Sequence, residues 1–371
     1  MSSPEAVEKL KEKDELSVWE SFKVLFAASK GFWLVNMVNF GDGIAYFGIL
    51  TLLTRFLGTR VGMSDQFTGI SVSMFTGLVT LFMFGGGFIS DKLGVRRALT
   101  WSLVVMAIGR LLLVVSPAMG MAETMGYVVS WAGLIFMAIG SGVIQPALYA
   151  GIKEYTDPRT ATIGYGLLYA IMNLGIVASS FVSPYVRTND LFLDLNFAQI
   201  VGLGWGIDGV FWICLAITGV MLLVHMSFFT KKVEEKEKWR PDRVPEVAEA
   251  EKKNEEQFAK KSWKEKMKEL PFLDARFMFF IFILLPVRTL FAHQWLTMPD
   301  YVFRSFPEEV SAKFEWINGL NPLIIVIFVP TIAAITRKVK VIDMMIIGTA
   351  LTALTTFMLV PGPHLYTLLG Y

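Results

Sequence analysis

Long apolar runs, separated by short polar stretches, dominate the pattern of residues along the chain. Several of these runs hold at most one ionisable side chain over about 20 residues, the length that a helix needs to cross a hydrocarbon core of roughly 30 Å. Charged residues are concentrated at the amino terminus and in residues 231–269. The pattern therefore predicts a protein whose apolar segments are helices that span a membrane.

Nine such helices are predicted, at about 31–56, 67–90, 98–116, 125–151, 162–185, 203–229, 276–297, 315–336 and 341–360. The predicted fold class is an all-α polytopic membrane protein. Residues 230–275 separate six helices from three, and their mixed, dense charge cannot bury a core, so we interpret them as a linker. Residues 1–30 are interpreted as a polar terminal segment, and its stretch "LSVWESFKVLF" is either a helix on the membrane surface or an extension of the first span.

The orientation of the chain is predicted from its Lys and Arg residues, because loops rich in them stay cytoplasmic. Lys92, Arg96 and Arg97 lie in the loop after the second span, and Lys153 lies in the loop after the fourth. The intervening loops hold few basic residues. The amino terminus and the linker are therefore expected to be cytoplasmic, and nine spans would leave the last residue of this chain on the other side.

The amino-acid composition limits the classes of function that are predicted for the chain. The chain is 54% hydrophobic and 18% charged, below the roughly 25% charged residues of soluble domains. A net charge of +2 divided among the loops predicts no nucleic-acid partner. The three histidines and the single cysteine are far apart, so no metal site, cofactor or enzymatic activity is predicted.

Three ionisable residues inside the predicted spans need an explanation, because charges in a membrane usually face a partner or a cavity. Asp42 lies in the first span, Arg110 in the third and Arg288 in the seventh, all at a similar depth by helical rise. Arg110 is interpreted as one half of a structural ion pair. Arg288 is followed by His293, Gln294 and Trp295, a polar and aromatic cluster that is typical of a cavity lining.

The stretch "GGGFISDKLGVRRAL" follows the second span. Gly87 and Gly94 are predicted to remove side chains where helices approach closely. Asp91 can accept hydrogen bonds at the helix end, and Arg96 and Arg97 are predicted to hold the loop at the cytoplasmic surface. Together this spacing resembles the signature loop of the major facilitator superfamily, in which the loop takes part in closing the cytoplasmic gate.

The order of six helices, a charged linker and further helices is also similar to that superfamily, whose two six-helix bundles bind substrate between them. The resemblance implies a first bundle at 31–229 and a partial second bundle at 276–371. The last three helices of the second bundle have no counterpart here, so we expect the sequence to be a fragment of a longer chain. A natural truncation is the alternative.

Four further stretches resemble one branch of the superfamily, the proton-dependent oligopeptide transporters: "DGIAYFG", "GSGVIQP", "LYAIMNLG" and "LNPLIIVIFVP". The resemblance implies that Tyr46, Asn173 and Asn321 face the substrate. Phe47 keeps the ring of a family tyrosine without its hydroxyl.

The departures from that family concern charge. Asn39, Asp42 and Gly43 match two glutamates and an arginine that the family uses in proton coupling. Gln145 matches a lysine that binds the substrate carboxylate, and Leu50 matches an arginine with the same role. Since an unpaired carboxylate is costly in a membrane cavity, the loss of both cations argues against ordinary peptide binding unless other cations replace them.

The leading hypothesis is therefore a secondary active transporter that works by alternating access. Its central site would be lined by the residues Tyr46, Phe47, Gln145, Asn173, Arg288 and Asn321, with Asp42 as the candidate proton carrier. One alternative is an ordinary proton and peptide symporter in which Arg110 and Arg288 replace the missing cations. A non-transporting membrane sensor or assembly partner is another. The expected partners are membrane lipid, a small-molecule or peptide substrate, and protons if transport is coupled.

Overall fold

The computed structural model of the chain describes residues 29–117, 123–156, 161–188, 190–192, 199–201, 203–238, 273–335, 339 and 341–370. The stretch "LSVWESFKVLF", predicted as a surface helix or an extension of the first span, and most of the predicted linker lie outside these residues. Within them the fold is helical, apart from one antiparallel pair of short strands, β1 (Asp190–Phe192) and β2 (Gln199–Val201), in which Asp190 lies opposite Val201.

The first bundle is built from six long helices, which are α1 (Lys30–Thr59), α2 (Asp65–Leu93), α3 (Val95–Val115), α4 (Glu123–Tyr155), α5 (Ala161–Arg187) and α6 (Gly206–Phe228). A short helix, α7 (Lys231–Glu237), follows at the start of the predicted linker. The remaining elements are α8 (Ala275–Leu296), α9 (Met298–Ser305), α10 (Glu308–Ser311), α11 (Phe314–Ile335), α12 (Val341–Thr356), a 3-10 turn (Phe357–Leu359) and α13 (Leu365–Gly370).

The predicted fold class is confirmed. Every one of the nine predicted spans overlaps a helix of the structure. Among the described residues, seven helices are long and apolar enough to cross a membrane. The strand pair between α5 and α6 was not predicted; it lies in the connection between the fifth and sixth predicted spans.

Polar side chains and one glycine set the helix ends of the first bundle. Ser29 caps α1 by accepting a hydrogen bond from the backbone N–H of Phe32 at 3.2 Å. Ser64 caps α2 in the same way, which satisfies one of the free N–H groups of a helix start. Gly94 has φ +79° in the turn between α2 and α3, a conformation that favours glycine.

Glycines also allow the long helices to cross closely. A Cβ atom added to Gly109 of α3 would lie 2.7 Å from the carbonyl oxygen of Gly133 of α4, and a Cβ at Gly133 would lie 2.8 Å from the carbonyl oxygen of Gly109. Small residues at such crossings let the helix backbones approach, and the resulting van der Waals packing helps to hold helices together in lipid. Between α1 and α6, the rings of Phe56 and Phe211 stack at 4.1 Å.

We name the two ends of the helical array after α1, so that the proximal end holds the start of α1 and the distal end holds its last turn. Because successive long helices run in opposite directions, the distal end also holds the start of α2, the end of α5 and the start of α11. The later helices dock on the first bundle through α11 against α5 and α8 against α1. Gly319 of α11 lies so close to Ser180 of α5 that an added Cβ would be 2.5 Å from the serine Cβ.

Candidate functional site

A buried ion pair lies inside the first bundle. Asp42 of α1 accepts a hydrogen bond from Nη2 of Arg110 of α3 at 3.1 Å, and the two side chains are 5% and 1% exposed. The other terminal nitrogen of Arg110 donates to the hydroxyl of Thr218 on α6, and Thr218 in turn donates to the carbonyl oxygen of Cys214 at 2.8 Å. The pair therefore ties three helices together.

The charges of this pair are already matched. Burial of a lone carboxylate or guanidinium costs several kcal/mol, and the partner offsets much of that cost. Arg110 is almost fully buried, and its two terminal nitrogens are bonded to Asp42 and Thr218. Its Nε is buried without a hydrogen-bond partner among the described residues. The structure thus brings together Asp42, the predicted proton carrier, and Arg110, the predicted pair partner.

The two positions beside Asp42 that matched charged family residues lie at a tight crossing of α1 and α5. A Cβ added to Gly43 would lie 2.7 Å from the carbonyl oxygen of Met172, and a Cβ added to Gly175 would lie 2.5 Å from the carbonyl oxygen of Phe40. Asn39 donates from Nδ2 to the carbonyl oxygen of Leu168 at 2.6 Å. Both positions therefore hold α1 against α5.

The predicted cavity residues on α1 form an aromatic cluster. The rings of Tyr46 and Phe47 meet edge to face at 5.3 Å, and Tyr46 also lies 6.4 Å from the ring of Phe75 on α2. Phe47 contacts Trp295 of α8 at 4.8 Å between ring centroids. Within the described residues, this cluster packs α1 against α8 through Phe47 and Trp295.

The other predicted cavity residues are spread over four helices. Asn173 of α5 is 3% exposed and donates to the carbonyl oxygen of Tyr169, within its own helix, at 2.8 Å. Gln145 of α4 is half-buried and Asn321 of α11 is exposed. Arg288 lies within α8, and its side chain lies outside the described part of the structure.

The predicted gating loop differs from expectation in one helix contact. The close approach belongs to Gly86, where an added Cβ would lie 2.4 Å from the carbonyl oxygen of Gly142 on α4, whereas a Cβ on Gly87 would meet no described heavy atom within 4 Å. The prediction for Gly87 is therefore corrected, because the close contact between α2 and α4 lies at the preceding residue, Gly86. The periodicity alone could not choose among three consecutive glycines.

Arg96 was predicted to hold the loop at the cytoplasmic surface, and in the structure its Nε donates to Glu234 of α7 at 2.7 Å. The same short helix continues to Lys238, which pairs with Glu154 at the end of α4 at 3.1 Å. Asp91 and Arg97 are exposed. The loop thus anchors the beginning of the predicted linker to the proximal end of the first bundle.

A second ion pair joins the two parts of the chain at the distal end. Glu315 of α11 is 2% exposed, and its two carboxylate oxygens accept from Nε and Nη2 of Arg187 of α5, both at 2.8 Å. Ser183 adds a third hydrogen bond to Glu315 at 3.2 Å, and Arg187 Nη2 also donates to the carbonyl oxygen of Ala312 at 3.0 Å. Bidentate pairs of this kind are strong and geometrically specific.

An aromatic ring lies between two arginines beside this pair. The ring of Phe303 on α9 has the guanidinium carbon of Arg55 at 4.4 Å and that of Arg187 at 5.1 Å, within the range of cation–π attraction. Arg55, Arg187, Phe303 and Glu315 were not predicted as site residues from the sequence. A signal existed in the two opposite charges at the distal ends of the fifth and eighth predicted spans.

More exposed groups complete the distal contact. Arg304 of α9 donates to both carboxylate oxygens of Asp65 at 2.7 and 2.8 Å and pairs with Asp300 at 2.9 Å. Hydrogen bonds to Asp65 and Asp300 raise the pKa of Arg304 above its ordinary value. These residues border a cavity of about 260 Å³ between α1, α2 and α9.

The face of α5 that meets α11 is covered at its distal part and open at its proximal part. Ser180 packs against Gly319, whereas Tyr169, three turns earlier on the same face, is 40% exposed. Within the described residues, α5 is thus in contact with α11 distally, and Tyr169 nearer its proximal end is exposed.

Comparison with known proteins agrees with this architecture. The family model of the Major Facilitator Superfamily matches residues 32–371. Dipeptide and tripeptide permease A of Pectobacterium carotovorum subsp. carotovorum is 24% identical over 226 residues, which are 59% of this chain and 39% of the permease. The Escherichia coli permease of the same name is 23% identical over 215 residues, 57% of this chain and 38% of the permease. The chain spans about two fifths of the length of these curated relatives.

Solved structures show the same fold. A mutant of the peptide transporter POT in complex with alafosfalin superimposes with a TM-score of 0.64 at 15% identity, over 92% of this chain and 78% of the other. A POT family transporter in complex with 5-aminolevulinic acid gives a TM-score of 0.62 at 17% identity, over 92% and 80% of the two chains.

Proposed function

Because the chain belongs to the Major Facilitator Superfamily, we propose that it is a secondary active transporter that moves a small, peptide-like solute across a membrane by alternating access. The solute class is supported by the similarity to the dipeptide and tripeptide permeases. It is also supported by the shared fold with transporters bound to alafosfalin and 5-aminolevulinic acid.

The observation that carries the proposal is the asymmetry between the two ends of the interface. Distally, α5 meets α11 through Arg187 and Glu315, while proximally the same face of α5 exposes Tyr169. Contact at one end and separation at the other is what one state of an alternating-access cycle requires.

The proposed orientation places the proximal end in the cytoplasm. Lys92, Arg96 and Arg97 at the turn between α2 and α3, and Lys153 at the end of α4, all lie at that end. Loops rich in Lys and Arg stay cytoplasmic. In this orientation the structure corresponds to an inward-facing state, in which the distal contact closes the external entrance.

Asp42 is the proposed proton carrier. It is buried against Arg110 in this conformation, so proton exchange requires Arg110 to move away or water to reach the pair. Of the two arginines considered as replacements for the missing cations, Arg110 is already bonded to Asp42. Arg288, within α8, is therefore the better candidate for contact with an anionic solute group.

The test is uptake of labelled dialanine by proteoliposomes containing the full chain, with a pH difference of about one unit across the membrane. That difference supplies about 1.4 kcal/mol for each proton, or about tenfold accumulation. We expect Asp42→Asn to abolish this accumulation while exchange of solute without a gradient continues. Asp208→Asn, which changes an exposed carboxylate bonded to Arg60, is the matched control and should behave as wild type.

Two results would contradict parts of the proposal. Undiminished accumulation in Asp42→Asn would remove Asp42 from proton coupling but leave transport intact. No uptake or exchange of any tested peptide by wild type would remove the peptide transport proposal and favour a non-transporting role.

A further inference from the structure

The contacts of Glu315 are those of a carboxylate held in a binding site. Its two oxygens take three hydrogen bonds, two from Arg187 and one from Ser183. The hydroxyl of Ser183 and the guanidinium of Arg187 belong to the same helix, α5, one turn apart. Among the described residues, all three donors to the carboxylate therefore come from the first bundle.

A second cation lies close to this cradle. Arg55 of α1 and Arg187 of α5 both contact the ring of Phe303, at 4.4 and 5.1 Å. In the described part of the chain, no carboxylate oxygen lies within ion-pair distance of Arg55. Arg304, by contrast, is already paired with Asp65 and Asp300.

The partners of the two arginines come from the other part of the chain. Glu315 and Ala312 precede or begin α11, and Phe303 belongs to α9. If the later helices separate from the first bundle at the distal end, as the proposed function requires, Glu315, Ala312 and Phe303 move away from the two arginines together. Arg55, Arg187 and Ser183 stay on α1 and α5 and face the opened entrance.

We propose that Arg187, Ser183 and Arg55 form a binding subsite for a solute carboxylate at the distal entrance, and that Glu315 occupies this subsite from within the chain when the entrance is closed. This inference rests on the proposed function, because it requires separation of the two parts of the chain at that end. The fork of an arginine side chain matches the two oxygens of a carboxylate, so the subsite selects carboxylates over neutral amides of equal size.

The subsite also links solute binding to closure. Glu315 and a solute carboxylate compete for the same three donors, so both cannot bind at once. A bound solute carboxylate at the entrance therefore opposes closure until it moves deeper, and Glu315 then takes its place. The charge of Arg187 remains paired in both arrangements, which avoids leaving an unpaired cation in a poorly hydrated interface.

The experiment compares the binding of dialanine with that of its carboxamide, by calorimetry on the full chain in nanodiscs and in low-chloride buffer. Glu315→Gln removes the internal competitor but keeps the donors, so we expect dialanine affinity to rise about tenfold. Arg187→Gln removes the bidentate guanidinium and should lower the affinity for dialanine about tenfold. Arg55→Gln should lower this affinity by a smaller factor. The affinity for the carboxamide should change little in any variant.

Arg304→Gln is the matched control, because it breaks a distal ion pair without touching the cradle, and it should leave the ratio of acid to amide affinity unchanged. A merely structural role for the Arg187 and Glu315 pair predicts that both single variants act in the same direction. Shifts of both variants in the same direction would overturn the subsite. Equal affinities for dialanine and its carboxamide, or no measurable dialanine binding by a folded Glu315→Gln protein, would also overturn it. Opposite shifts of dialanine affinity in Glu315→Gln and Arg187→Gln, together with no uptake by proteoliposomes, would support the subsite. They would contradict only the transport proposal.

Discussion

Loss of Arg110 is predicted to destabilise the first bundle through the carboxylate that it leaves behind. Arg110 and Asp42 are 1% and 5% exposed and lie 3.1 Å apart. At an effective dielectric constant of about 20 their attraction is about 5 kcal/mol, which is comparable to the several kcal/mol needed to desolvate each ion. The intact pair therefore contributes little net stability, but a single remaining charge keeps its desolvation cost without compensation.

From this balance, Arg110→Met should lower the free energy of unfolding by about 3–5 kcal/mol, and Asp42→Leu should have a similar effect. The double variant should recover most of the loss, because two apolar side chains replace two buried charges. The exposed pair of Arg60 and Asp208 is the control: Arg60→Gln should cost at most about 1 kcal/mol, since solvent screens it.

The measurement is a double-mutant cycle on equilibrium unfolding in mixed micelles, with the four proteins compared under one denaturant. A coupling energy of about 3 kcal/mol or more is expected between the two sites. Additive losses, or losses below about 1 kcal/mol in each single variant, would refute the argument, since they would mean that the two charges are solvated independently.

Two further predictions concern contacts between helices. Gly175→Ala places a Cβ 2.5 Å from a backbone oxygen of α1 and should lower the thermal midpoint, by a loss of about 1–3 kcal/mol. Gly87→Ala adds a Cβ with no described heavy atom within 4 Å and should cause no loss in the same melting experiment. Arg96→Ala removes the bond to Glu234 and should speed limited proteolysis at the start of the linker several-fold. Arg97→Ala, at an exposed position, should not change the proteolysis rate. Equal rates in the two variants would show that α7 is held by other contacts.

Much of the helical architecture follows from the apolar periodicity, because lipid requires each spanning segment to satisfy its own backbone hydrogen bonds. Helix ends were less predictable. The helix containing Glu123–Tyr155 extends past its predicted limits at both ends, because an apolar run marks the hydrocarbon thickness and not the length of the helix beyond it.

The candidate site was predictable only in part. Asp42 and Arg110 stood out as charges at equal depth in apolar helices, and the structure brings them together. Arg187 and Glu315 lie near span ends, where hydration by the interface explains a charge equally well, so nothing local in the sequence marked them as partners. Their pairing depends on how α5 and α11 cross, which one sequence does not specify.

The crossing of α1 and α5 has a consequence for how this chain can change over evolutionary time. The arginine that the oligopeptide transporter pattern places at Gly43 would have to push apart backbones that now touch, while the guanidinium of Arg110 already neutralises Asp42. A direct reversion at Gly43 alone would thus add strain and a surplus buried charge. Return to the family pattern requires coordinated substitutions on three helices, so the departure at this position behaves as a one-way step in descent.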